Sequence, residues 1–137
     1  MSDTTTAPAA ADAATQAALE RLNTVIDRLI APDGCPWDST QTPESLTEYV
    51  IEECHELVDA IRSGKTADMV EELGDVAFLI LMIGKLMARA GGPSLADALE
   101  VEAAKMVRRH PHVFSDTTYE NQSEQLKDWD RIKREEK

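Results

Sequence analysis

Residues 42–64 read TPESLTEYVIEECHELVDAIRSG, and residues 66–92 read TADMVEELGDVAFLILMIGKLMARAGG. Together they read as two helices joined by a short turn. Thr42 can cap the first, Pro43 suits its first helical position, and Glu44 suits the positive end of its dipole. Leu46, Val50, Cys54, Leu57 and Ile61 recur at helical spacing and mark its apolar stripe, and Gly64 is a natural stop. The second helix starts near Thr66 to Asp68 and runs to about Ala90, where Gly91-Gly92-Pro93 breaks it. Its stretch from Val76 to Met87 is apolar nearly all round. Such a helix must be covered on most faces, which points to a partner chain. Only the seven residues from Ser63 to Met69 separate Arg62 from Val70, so the two helices should pair as an antiparallel hairpin.

The rest of the chain extends this pattern in both directions. Leu19, Leu22, Ile26 and Leu29 predict an earlier helix, ended by Pro32-Asp33-Gly34-Cys35-Pro36 in a loop that carries Trp37. Residues 1–18 hold eight Ala, four Thr and no bulky apolar side chain except Met1, so they read as a mobile tail. Beyond the hairpin, Ser94 can cap a fourth helix with Asp97 at its third position. That helix should end by His110, because the residue before a proline disfavours helical backbone. A last helix over Ser123 to Glu135 carries Leu126, Trp129 and Ile132. Strand alternation and repeats are absent. The expected architecture is all-α, with four to five helices built on the hairpin, forming one domain over residues 19–137 and an oligomeric helical bundle.

The 137 residues suit a single domain, and 42% are hydrophobic, too many for general disorder. The net charge is −12, from 26 acids and 14 bases. That excess argues against polymeric nucleic acid and against an anionic membrane surface as partners. It is unevenly spread. From Glu44 to Asp75 there are ten acids and two bases, whereas Lys105 to Lys137 holds eight of the fourteen bases. Two cysteines, Cys35 and Cys54, are too few for a disulfide framework. No apolar segment approaches the ~20 residues of a membrane span, and no signal sequence is evident, so a cytoplasmic location is expected.

The acids of the hairpin are ordered. Glu53 and Glu56 share one helical face, as do Glu72 and Asp75. Glu53 lies only about 60° from the middle of the apolar stripe, Glu56 about 120° and Glu52 about 160°. The hairpin brings the two pairs level. Two carboxylates about 6 Å apart repel by less than ~1 kcal/mol in water but by ~3 kcal/mol at an effective dielectric of 20. Fully solvated, the four would mean little. Partly buried, they need protons, cations or a metal, and an all-carboxylate set favours Mg²⁺ or Mn²⁺ over zinc.

Glu52-Glu53-x-x-Glu56 followed by Glu72-x-x-Asp75 resembles the EExxE…ExxD signature of MazG-type nucleoside triphosphate pyrophosphohydrolases. Three more segments resemble the same family: Gly34-Cys35-Pro36-Trp37-Asp38 with Gln41-Thr42, Arg108-Arg109-His110-Pro111-His112-Val113-Phe114, and Trp129-Asp130-Arg131-Ile132-Lys133. The resemblance runs from about Leu19 to Lys133. It implies an all-α homodimer or homotetramer that uses Mg²⁺ to cleave a nucleoside triphosphate between the α- and β-phosphates, releasing monophosphate and pyrophosphate. It implies Glu53, Glu56, Glu72 and Asp75 as metal ligands, Lys105 and Arg109 as phosphate contacts, and Trp129 as an aromatic near the nucleobase. Glu52 is the candidate general base. Trp37 either borders the nucleobase or plugs the core beneath its loop.

Other readings stand beside these. His110 and His112, flanking Pro111, suit a turn more than a ligand set. Glu52-x-x-His55 is formally a di-iron bundle motif, but the chain has no second copy of it. The rival in a different class is a non-catalytic helical dimer whose acidic face is only solvated.

Overall fold

The computed structural model describes residues 6–137 and is helical, with no strand among the described residues. The chain forms two compact units, divided between Pro93 and Ser94. The first contains α1 (Thr6–Ile30), α2 (Thr47–Ser63) and α3 (Thr66–Arg89); the second contains α4 (Leu95–Arg109), the single-turn α5 (Pro111–Phe114) and α6 (Gln122–Glu135).

Helix α1 starts well before Leu19. The Ala-rich stretch expected to be a mobile tail is helical from Thr6, as alanine's high helix propensity allows. Residues 9–21 are all exposed. Residues 1–5 of that tail lie outside the described residues.

The hairpin forms as expected, with α2 and α3 packed against each other. Gly64 ends α2 in the left-handed conformation, at φ 72°. The start differs in detail. Thr42 caps a short 3₁₀ turn, Glu44–Leu46, that leads into α2: its Oγ1 accepts from Ser45 N at 3.1 Å while Ser45 Oγ accepts from Thr42 N at 2.9 Å. The inward face of α2 also differs. Leu46 and Ala60 are buried and Val50, Glu53 and Leu57 half-buried, whereas Cys54 is exposed and Ile61 is 56% exposed. The face therefore follows 46, 50, 53, 57 and 60, the alternating three-and-four spacing of a helix facing one neighbour. Helix α3 answers with Met69, Glu72, Val76 and Leu79. Glu53 and Glu72 thus occupy seam positions that would ordinarily hold apolar side chains.

The core of this unit is Ile26 from α1, Leu46, and Leu79, Met82 and Leu86 from α3. It covers only part of α3. Leu73, Ile80 and Met87, seven residues apart, are 59%, 50% and 37% exposed and form an open apolar stripe. In the second unit, the Asp97 carboxylate accepts from Ser94 N at 2.8 Å at the start of α4, as the capping pattern predicts. Ile132 of α6 is its buried apolar residue.

Candidate functional site

On the hairpin, one carboxylate oxygen each from Glu53, Glu56, Glu72 and Asp75 lies within 4.8 Å of the others. Helical spacing places each pair on one face, and the antiparallel seam brings the pairs together. Glu53 and Glu72 are half-buried, and one oxygen of each, Oε2, is buried without a hydrogen-bond partner. A carboxylate oxygen withdrawn from water and left unpaired is costly unless a proton or cation answers it. Burial, followed by the neighbouring carboxylates of Glu56, Asp75 and Glu53, pushes Glu72 up to about 7. Burial first and Glu56 next also raise Glu53. A merely solvated acidic face would leave no oxygen in this state. Glu52 is exposed and lies outside the group of four.

A cavity of about 240 Å³ opens beside this cluster, lined by Trp37, Leu46, Tyr49, Glu53, Asp75, Phe78 and Leu79. Trp37 is 49% exposed and meets the Tyr49 ring edge-on, with centroids 5.6 Å apart and an 87° interplanar angle. Trp37 is therefore a cavity wall rather than a plug in the core. Tyr49 and Phe78 went unnoticed in the sequence. Tyr49 precedes Glu53 by one helical turn, a spacing that could have revealed it.

The second unit gathers the other expected residues. The guanidinium of Arg109 lies 5.5 Å from the centroid of the Trp129 ring, within cation–π range. Arg109 is also held by Glu136, with Nη2 donating to Oε2 at 2.9 Å, and Arg108 Nε donates to Oε1 of the same carboxylate at 2.8 Å. Arg109 and Arg108 together hold Glu136 at about 2, far below the usual carboxylate range. Lys105 is paired with Glu102 at 2.6 Å. His110 packs edge-on against Trp129 at 4.9 Å and lies 2.6 Å, through Nδ1, from Met106 O, fixing the turn after α4. A cavity of about 900 Å³ in this unit is bordered by Arg108 and Arg131, each already paired with carboxylates.

Residues 41–114, more than half of the chain, match the family described as the MazG nucleotide pyrophosphohydrolase domain. The chain belongs to the MazG family. The matched segment contains the four clustered carboxylates, Lys105 and Arg109; Trp37 and Trp129 fall outside it. Among curated relatives of this MazG-family chain, the uncharacterised protein YabN of Bacillus subtilis is 43% identical over 113 residues, covering 82% of this chain and 23% of that protein. The nucleoside triphosphate pyrophosphohydrolase/pyrophosphatase MazG of Thermotoga maritima is 39% identical over 118 residues, covering 86% of this chain and 45% of that protein. The chain thus spans less than half the length of these relatives. The crystal structure of a mazG-related protein from Thermotoga maritima superposes with a TM-score of 0.70 at 29% identity, covering 84% of this chain and 98% of that one. That likeness agrees with the all-α fold.

Proposed function

We propose that this chain hydrolyses nucleoside triphosphates, ribo- or deoxyribo-, between the α- and β-phosphates in a Mg²⁺-dependent reaction, with a role in clearing unwanted nucleotides. The observation that carries this reading is the convergence of four carboxylates with two buried, unpartnered oxygens. Those oxygens and an all-oxygen donor set fit a hard divalent cation, Mg²⁺ or Mn²⁺, better than zinc. Glu53, Glu56, Glu72 and Asp75 would hold it. Once bound, such an ion neutralises phosphate charge and lowers the pKa of an attacking water. The name of the Thermotoga maritima relative gives the same activity for that longer protein.

The remaining roles follow from the chemistry of the side chains. Glu52, the carboxylate outside the cluster, takes the proton from water in this reading. Arg109 and Lys105 contact the phosphates, where a guanidinium can bind bidentately and an ammonium acts as a point charge. Trp129 serves near the nucleobase and Trp37 in substrate binding, each within its own unit. The open stripe of Leu73, Ile80 and Met87 supports a homodimer or homotetramer, which light scattering checks. No helix among the described residues is long and apolar enough to cross a membrane. We place the protein in the cytoplasm.

A panel of canonical and modified triphosphates, with product identification by chromatography, tests the activity. The expected products are monophosphate and pyrophosphate. No turnover of any nucleotide with Mg²⁺ or Mn²⁺ would leave the non-catalytic helical dimer in its place.

A further inference from the structure

Between α1 and α2 the chain runs through residues 31–46, and Leu46 is the buried residue of that stretch. Up to Ser45 the loop has no buried apolar anchor and is shaped by hydrogen bonds. Most are local: Gly34 N donates to Ala31 O at 2.8 Å, Cys35 N to Leu29 O at 2.9 Å, and Gln41 Nε2 to Trp37 O at 3.0 Å. Gly34 makes the close departure from α1 possible, because a Cβ there would lie 2.3 Å from Arg28 O and 2.4 Å from Leu29 O. This fixes where the loop begins. The segment after Trp37 follows that start through Ser39 N, which donates to Cys35 O at 2.9 Å, and residues 38–40 pack against α1.

Among the described residues, the hydrogen bonds joining that segment to distant parts of the chain come from one side chain, Arg89 in the last turn of α3. Its Nη2 donates to Ser39 O at 3.1 Å and to Gln41 O at 3.5 Å, and its Nη1 donates to Ile30 O at 3.0 Å. Ile30 closes α1, so its carbonyl lacks a helical partner. A planar guanidinium can serve several carbonyls at once, which an ammonium point charge does less well. Arg28, Arg108, Arg109 and Arg131 all form ion pairs with acids. Arg89 instead directs its fork at backbone on both sides of the Trp37 loop.

We propose that Arg89 is a positioning residue that ties the Trp37 loop to α3 and thereby sets the place of Trp37 in the wall of the cavity that Glu53 and Asp75 also line. Helix α3 carries Asp75, Phe78 and Leu79 of that cavity, so the tie refers the loop to the element that supplies the cluster. Trp37 needs an external reference because it is half exposed and its ring pairs with one other ring, that of Tyr49. The kinetic part of the test rests on the proposed nucleotide reading; the spectroscopic part does not.

The variants are Arg89→Gln and Arg89→Lys. In an otherwise natural chain, Arg89→Gln should raise KM for a triphosphate substrate about ten-fold, as expected for a misplaced binding group, with kcat little changed. Its Mn²⁺ affinity should stay within about two-fold of the parent, since no cluster carboxylate contacts Arg89. In a Trp129→Phe background, where Trp37 is the one remaining tryptophan, fluorescence anisotropy decay should show wider nanosecond motion of Trp37 in Arg89→Gln. Arg89→Lys should recover part of both effects. Unchanged Trp37 anisotropy in Arg89→Gln overturns the proposal. A parallel loss of Mn²⁺ affinity, kcat and KM, with no recovery in Arg89→Lys, also overturns it. If the parent chain hydrolyses no triphosphate, the nucleotide reading fails, and the anisotropy result still decides the role of Arg89.

Discussion

Divalent metal binding should release a proton from the hairpin, and the amount follows from Glu72. Its carboxyl sits at about 7, raised by burial and by Glu56 and its other acidic neighbours. A metal binds the charged carboxylate, so binding must expel whatever proton Glu72 holds. A group of that pKa is about 0.9 protonated at pH 6, about half at pH 7 and about 0.1 at pH 8. Proton release on binding should fall along the same series, and Glu53, raised by burial and by Glu56, shifts it in the same direction. Affinity should weaken about ten-fold from pH 8 to pH 6 from the Glu72 proton alone. Isothermal titration of Mn²⁺ into metal-free protein, repeated in buffers of different ionisation enthalpy, reads both quantities. Glu72→Gln should remove most of the release. Negligible release at pH 6 with pH-independent affinity, or full release retained in Glu72→Gln, would show that Glu72 carries no proton that the metal displaces. The same shift bears on folding. The native chain holds a proton that the unfolded chain, with a carboxyl near 4.5, gives up. That contribution to the stability of the metal-free protein is full below pH 4.5 and is lost as the pH rises through about 7.

Glu53→Gln and Asp75→Asn should each abolish triphosphate turnover while leaving the helical circular dichroism intact; activity retained in both would dismantle the metal site. Met82→Ala should cost about 2–5 kcal/mol in urea denaturation, since it opens a cavity at a fully buried position. A loss below 0.5 kcal/mol, the range of ordinary surface substitutions, would mean that this core is misassigned. Glu136, held at about 2 by Arg109 and Arg108, should stabilise the fold above pH 4.5 and lose that contribution as pH falls toward 2. Acid unfolding followed by tryptophan fluorescence should lack this component in Glu136→Gln, and identical acid profiles would count against the Arg–Glu cluster.

The hairpin was legible because its signals are local. Gly64 and the Gly91-Gly92-Pro93 break mark helix ends, and the helical period places Glu53 with Glu56 and Glu72 with Asp75. Apolar spacing places the inward face of α2 one column away, through Cys54 and Ile61. Apolar spacing alone does not distinguish a face turned to one antiparallel neighbour from one turned to several, and Glu53 occupies a position that apolarity would never select. The apolar pattern starts α1 only at Leu19, because the Ala-rich extension has no apolar stripe, although propensity alone favours it. Glu136 and Arg89 were missed for a different reason. Their partners lie 27 to 28 and 48 to 59 residues away, beyond the reach of any helical period. Trp37 was visible as a residue but not as a cavity wall, because its exposure depends on a loop whose shape comes from backbone hydrogen bonds.

The most direct test is a ³¹P NMR record of a nucleoside triphosphate incubated with the purified chain, with Mg²⁺ and again with excess chelator. Metal-dependent cleavage between the α- and β-phosphates predicts monophosphate and pyrophosphate resonances growing together with the metal present, and an unchanged triphosphate spectrum without it. Orthophosphate with diphosphate as the first products, or equal turnover in chelator, would contradict it.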